Sequence, residues 1–280
     1  MSLIPLSYLD LGLAALLVLA LAALSQRLLL GVANALLVAA ARTTVQLLLV
    51  GLVLKALFAH VHVLWVVLAA LVMVLAAGRE VMQRQRRRFA GWWGYGLGTA
   101  SMFVSSFSIT VLALLVMVSP QPWYEPQYSI PLLGMLLGNT MNGIALALDR
   151  LKEGAWQQRQ AIEARLALGA EWPQAVGGIR RESTRVGMIP IINAMAAAGL
   201  VSLPGMMTGQ ILAGAPPIEA VKYQILIMFL IAAGTGFGTV IAVAAGTRHL
   251  FDERHRLRLD RLSTPSRGRA LGRFLRRPRP

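Results

Sequence analysis

The sequence predicts an all-α, polytopic membrane protein with about seven transmembrane helices, its N-terminus outside and its C-terminus in the cytoplasm. Three observations carry that expectation. The chain is 56% hydrophobic and only 14% charged, too apolar for a soluble domain. Its apolar residues gather at about 8–24, 36–58, 63–78, 95–118, 130–148, 188–212 and 223–246. Most of these segments approach the roughly 20 residues that cross ~30 Å of hydrocarbon. The regions 25–35, 79–92 and 149–187 and the tail from 247 hold 24 of the 27 basic residues, whereas the intervening loops hold only Lys222. Positive charge favours the cytoplasmic side, and this fixes the predicted direction of every span.

The first segment has no basic stretch ahead of it and starts at Asp10, so it reads as a span rather than a cleavable signal. Leu28 to Phe58 is 31 residues long, too short for two crossings. Residues 28–35 are therefore expected as an interfacial lead-in, with Arg42 snorkelling toward cytoplasmic headgroups. His60 and His62 fall in an outer loop, and two imidazoles alone are a weak metal signal. In the fifth segment Asn139 and Asn142 are three apart and share a helical face. Gly134-x3-Gly138 there, and Gly234-x3-Gly238 in the seventh, have the spacing of close helix packing.

The sixth segment is the unusual one. Pro204 cannot donate a backbone hydrogen bond, and Gly199, Gly205, Gly209 and Gly214 loosen the helix. Hydrocarbon tolerates such breaks only where protein or a water-filled cavity satisfies the freed groups, and they mark transport sites in other membrane proteins. The candidate translocation path or gate thus comprises Asn139, Asn142, Asn193, Pro204, Gly205, Met206, Met207 and Gly209. The methionines suit packing better than iron ligation, because thioethers prefer soft metals. The metal ligands, if any, are unknown from the sequence. Glu219 and Lys222, three apart, are expected to pair on the first turn of the last span.

Residues 1–250 are thus predicted to form the membrane domain, with 149–187 as its longest cytoplasmic loop. The Arg-rich, Pro- and Gly-punctuated stretch 251–280 is expected to be disordered. It suits anionic lipid better than nucleic acid. Without cysteine, the chain has no disulfide, thiolate metal site or Cys nucleophile.

The 149–187 loop is patterned as helix, with Ile162, Leu166 and Gly169 at helical spacing and Pro173 suited to the first turn of a second helix. Glu163-Ala164-Arg165, three residues, Gly169, nine residues and Ile179 resemble the coupling loop of ABC-transporter permeases, EAA-x3-G-x9-I-x-LP. Arg165 departs from the second Ala, and Arg180-Arg181-Glu182 does not supply the Leu-Pro. Five blocks occur in one order: Gly134-Met-Leu-Leu-Gly-Asn-Thr-Met-Asn142, Glu163-Ala-Arg-Leu-Ala-Leu-Gly-Ala170, Arg185-Val-Gly-Met-Ile-Pro190, Gly199-Leu-Val-Ser-Leu-Pro-Gly-Met-Met-Thr-Gly209 and Ala220-Val-Lys-Tyr-Gln-Ile225. Over about 5–250 they resemble the Fet-type iron-export permease family, which includes the plant aluminium-sensitivity ABC permeases.

That resemblance implies a permease subunit of the inner or plasma membrane, working as a homodimer with a separate ABC ATPase subunit. It implies export of a metal ion, iron foremost, with Glu163, Ala164, Arg165, Gly169 and Ala170 at the ATPase contact. The residues agree that the ATP is used elsewhere: Lys55, Lys152 and Lys222 are the only lysines, and none sits in a Walker-type phosphate loop. No cofactor is expected on this chain. Intramembrane carboxylates and imidazoles are scarce, which keeps an organic solute such as a nucleotide sugar open as cargo. An intramembrane enzyme lacks a converging catalytic constellation, and a passive channel leaves the coupling-loop spacing unexplained.

Overall fold

The computed structural model describes residues 7–85 and 87–263. Ten helices dominate it: α1 Tyr8–Arg27, α2 Ala33–Ala59, α3 Val63–Gln83, α4 Trp93–Val118, α5 Pro126–Gln157, α6 Arg159–Ala167, α7 Trp172–Ala175, α8 Gly177–Ala197, α9 Gly205–Leu212 and α10 Pro217–His249. Six of them, α1 to α5 and α10, are long and apolar enough to cross a bilayer. The protein is therefore a multi-pass helical membrane protein, as its composition predicts.

Local chemistry sets the boundaries. Ser7 and Asp10 form a reciprocal capping box that starts α1. His62 caps α3 by accepting the Leu64 N–H at 3.2 Å, so that imidazole serves a helix end. Pro126 and Pro217 open α5 and α10, where a missing N–H costs nothing. The stretches Phe103–Phe107 and Ala113–Val118 of α4 are wound as π-helix.

The core is the bundle of α3, α4, α5, α8 and α10, with α5 at its centre. The α1–α2 hairpin stands outside it and is largely exposed, as lipid-facing helices are. Arg42 of α2 pairs with Glu80 of α3. The expected Glu219–Lys222 pair is present at 2.7 Å.

Two expectations need correction. The predicted span 188–212 is not one helix: α8 ends at Ala197 and α9 begins at Gly205. Within 149–187, α5 runs on to Gln157 and α8 begins at Gly177, with α6 and α7 between them. Leucine, alanine and lysine extend a helix as readily outside hydrocarbon as in it, so helix ends and membrane boundaries need not coincide. The tail is also not disordered throughout. Leu262–Ser263 pairs antiparallel with Arg88–Phe89, and Leu262 is buried in the main core. Asp252 organises the intervening turn by accepting N–H groups of Arg254 and Arg256. These bonds, the Arg256 N–H foremost, hold its carboxyl below the usual range. Residues 264–280, which carry the rest of that expectation, lie outside the described residues.

Leu262→Asp should therefore damage the fold. Deleting a buried leucine side chain costs about 2–5 kcal/mol, and an unpaired buried charge adds to that. The expected result is a clearly lower melting temperature in detergent.

Candidate functional site

At the basic end of the bundle α5, α6 and α7 build a projecting knob. Ile162 of α6 is 2% exposed and packs in the main core, which fixes the helix against the bundle. The turn that follows leaves Glu163, Ala164 and Arg165 exposed, with Leu168 beyond them at 88% exposure. Gly169 ends the helix at φ +89°, a conformation glycine adopts without penalty. Its N–H donates to the Leu166 carbonyl and that of Ala170 to the Arg165 carbonyl, both at 3.0 Å. This pair of bonds is a Schellman motif. It gives the glycine in the predicted spacing a physical reason, and Ala170 is half-buried beneath it.

One contact closes the knob on itself, and others hold it and the start of α8 to the bundle. The Arg165 Nη1 donates to the Ala175 carbonyl at 3.0 Å, closing α6 onto α7. Trp172 stacks on Phe251 at 5.6 Å, and its backbone N–H donates to His255 Nδ1 at 3.3 Å. The Arg248 guanidinium lies 5.9 Å from the Trp172 ring. Ile179 of α8 packs so closely on Gly154 of α5 that a Cβ there would meet it at 2.9 Å. Trp172 thus joins the knob to the end of α10 and to the turn that follows it.

From the knob α8 runs into the bundle and crosses α5 at two glycines. A Cβ on Gly187 would lie 2.7 Å from the Gly143 carbonyl, and one on Gly143 would lie 2.8 Å from that of Gly187. Around this crossing Ser106, Thr140, Thr235 and Thr239 are buried, and their hydroxyls have no hydrogen-bond partner among the described residues. Gly238 fits the same seam, since a Cβ there would be 2.7 Å from Ser105 Oγ. The Gly234-x3-Gly238 spacing thus does mark close packing. In Gly134-x3-Gly138 only Gly134 has a close neighbour, and the tight glycines of α5 are Gly143 and Gly154.

Beyond the crossing the helix breaks. Ala198 turns extended, Gly199 takes φ +82°, and its N–H donates back to the Ser202 carbonyl at 2.9 Å. Leu200 and Val201, at the tip of this turn, are 90% and 87% exposed. Pro204 precedes α9, and a second Schellman motif closes it at Gly214, φ +94°. At ~1.5 Å per residue α9 is only about 12 Å long, too short to cross alone. The glycines demanded by backbone geometry are Gly199 and Gly214; Gly205 is regular helix with open space around it. Gly199→Val should destabilise this turn by about 1–2 kcal/mol, whereas Gly205→Ala should shift the melting temperature little.

The predicted path residues do not share one cavity. Met206 of α9 lines a space of about 180 Å³ with Gln210, Gln127, Tyr128, Met135 and Tyr223, where α4, α5, α9 and α10 meet. Within that group the Gln210 Oε1 is buried without a hydrogen-bond partner among the described residues. Asn139 donates to the Met135 carbonyl of its own helix at 2.8 Å. Asn142 accepts from Arg84 and lines a separate cavity of about 280 Å³ with Asp149 and Pro190. Asn193 and Gly209 are exposed, and Met207 is half-buried.

Lys152 was not among the expected site residues. It is fully buried, donates to Gln85 and lies 5.1 Å from the Phe89 ring. Three residues from Asp149 in a basic stretch, it has the sequence signature of an ordinary loop lysine.

A central glycine crossing, a break after the eighth helix and a capped knob rooted in the helical core define a polytopic helical membrane protein. The chain belongs to the family described as UPF0014, an uncharacterised protein family, which matches residues 8–251. It is 40% identical over 223 residues to the UPF0014 membrane protein slr1647 of Synechocystis, covering 78% of this chain and 84% of that one. It is 34% identical over 222 residues to the probable iron export permease protein FetB of Escherichia coli, covering 77% and 81%. Identity to protein ALUMINUM SENSITIVE 3 of Arabidopsis thaliana is 34% over 204 residues, covering 73% and 71%. No solved structure matches the chain.

Proposed function

We propose that this chain is the membrane-spanning permease subunit of an ABC transporter that exports a metal ion, iron foremost, from the cytoplasm. The energy comes from ATP hydrolysed by a separate ATPase subunit, and two copies of the chain pair with two ATPases. The observation that carries this reading is the knob: exposed Glu163, Ala164, Arg165 and Gly169 on a helix whose Ile162 is rooted in the core. A docked ATPase can push on α6 and thereby move α8, whose far end is the break at 198–204. That break then acts as the gate. The likeness to a probable iron export permease supports iron as cargo. The basic end faces the cytoplasm of a cell membrane in this reading, because basic residues favour that side.

A second reading keeps the architecture and makes the cargo an organic solute such as a nucleotide sugar. It is favoured by the amides and phenols of Gln127, Tyr128, Gln210 and Tyr223 around one cavity, groups suited to hydroxyl-rich ligands.

The test is to co-express the chain with a candidate ATPase and purify the complex through this subunit. ATP-driven uptake of labelled iron and of nucleotide sugars into inverted vesicles is then compared. The expected result is ATP-dependent iron uptake that falls at least tenfold in Glu163→Ala together with ATPase capture. Iron uptake indifferent to ATP, with a nucleotide sugar transported instead, would establish the second reading. Capture and transport both unaffected by Glu163→Ala would remove the knob from the mechanism.

A further inference from the structure

At the basic end, between α8 and α10, lies an open cavity of about 600 Å³ with two unlike halves. One half carries the guanidinium-bearing side chains of Arg180, Arg181 and Arg185 with Thr184; no acidic residue is among its lining. Among the described residues no carboxylate pairs with any of these three arginines; the nearby Glu182 lies 3.9 Å from Arg150 instead. The other half is apolar, walled by Met188 and Ile192 of α8 and by Val240 and Val243 of α10. Arg181, Arg185, Met188 and Ile192 follow one another at intervals of four, three and four residues, so they form a single stripe on one helical face. Along that stripe α8 changes from charged to apolar just after Arg185, where a helix passes from the headgroup layer into hydrocarbon.

We infer that this cavity binds an anionic phospholipid from the surrounding leaflet, its phosphate on the arginines and an acyl chain against Met188, Ile192, Val240 and Val243. Arginine matches phosphate through paired N–H groups, and several together compensate their mutual repulsion only when an anion sits among them. A free phosphate would satisfy the arginines and leave the apolar half wet. A zwitterionic lipid would fill the apolar half and add no net negative charge. An anionic phospholipid satisfies both halves at once. Its place between α8 and α10 wedges it beside the helix that joins the knob to the break.

The test uses the full chain in phosphatidylcholine micelles, titrated with phosphatidylglycerol, with more phosphatidylcholine, or with soluble glycerol phosphate. Bound lipid is read by native mass spectrometry and stability by thermal melting. The expected result is retention of phosphatidylglycerol and a rise in melting temperature that the other two do not give. The Arg181→Ala/Arg185→Ala pair should weaken phosphatidylglycerol binding by about tenfold or more, since each basic residue near an anionic surface contributes about fivefold. Val240→Trp, which fills the apolar half and leaves every arginine, should weaken it as well. Should the arginine pair fail to fold, Val240→Trp and the wild-type titrations decide. Equal retention of both lipids, stabilisation by glycerol phosphate alone, or wild-type binding in either variant would overturn the assignment.

Discussion

Gly187→Ala is expected to lower the stability of the bundle by about 3 kcal/mol or more, the upper range of overpacking costs. The added methyl would sit 2.7 Å from the Gly143 carbonyl, 2.7 Å from Thr239 Cγ2 and 2.8 Å from Ala147 Cβ. Two of these neighbours belong to α5 and one to α10, so no single side chain can move aside to make room. The backbones of α5 and α8 would have to separate, loosening the buried seam of Thr140, Thr235 and Thr239 with them. Gly209→Ala provides the contrast: nothing lies within 4 Å of a Cβ there. Inside a helix that change is favourable by about 1 kcal/mol. Melting and monodispersity in detergent should separate the two, and a Gly187→Ala protein as stable as the wild type would show that the crossing is slack.

The second large effect is on coupling. Gly169→Pro should abolish ATPase capture and ATP-driven transport while leaving the bundle's melting temperature nearly unchanged. Proline locks φ near −65° and carries no N–H, whereas Gly169 stands at φ +89° and donates to Leu166. The end of α6 must therefore unravel, taking the exposed Glu163–Arg165 surface with it. Gly169 is itself exposed and touches no neighbour, so the damage stays local. Gly169→Ala, at a cost of roughly 1–2 kcal/mol for a left-handed residue, should give an intermediate loss. Full capture and transport in the proline variant would show that the knob's terminal turn has no part in docking.

These two glycines illustrate what the sequence conveys and what it does not. Gly169 was readable because its role is local: a helical pattern ends, and a residue that tolerates positive φ follows. Gly187 was not, since its need arises from Gly143, 44 positions earlier, and nothing in either neighbourhood records the encounter. The six long spans were readable from apolar runs of sufficient length. The break at 198–204 was announced by Pro204 and its glycines, but which glycine bears the turn was not, because only the long-range fold and the carbonyl of Ser202 select Gly199. In the tail, Arg-rich composition obscured Leu257, Leu259 and Leu262, which pack against or within the main core. Average composition is blind to a few leucines that find a long-range partner.

The pairing of Arg88–Phe89 with Leu262–Ser263 has a consequence for the order of assembly. The Ser263 hydroxyl donates to the Arg88 carbonyl across 175 residues of sequence, among the last described residues to leave the ribosome. Helices enter the bilayer as they are made, and contacts of such long separation close late. Phe251 and His255, which hold Trp172, arrive in the same final stretch. A nascent or truncated chain can thus insert all of its spans and still leave the α6–α7 region unsecured.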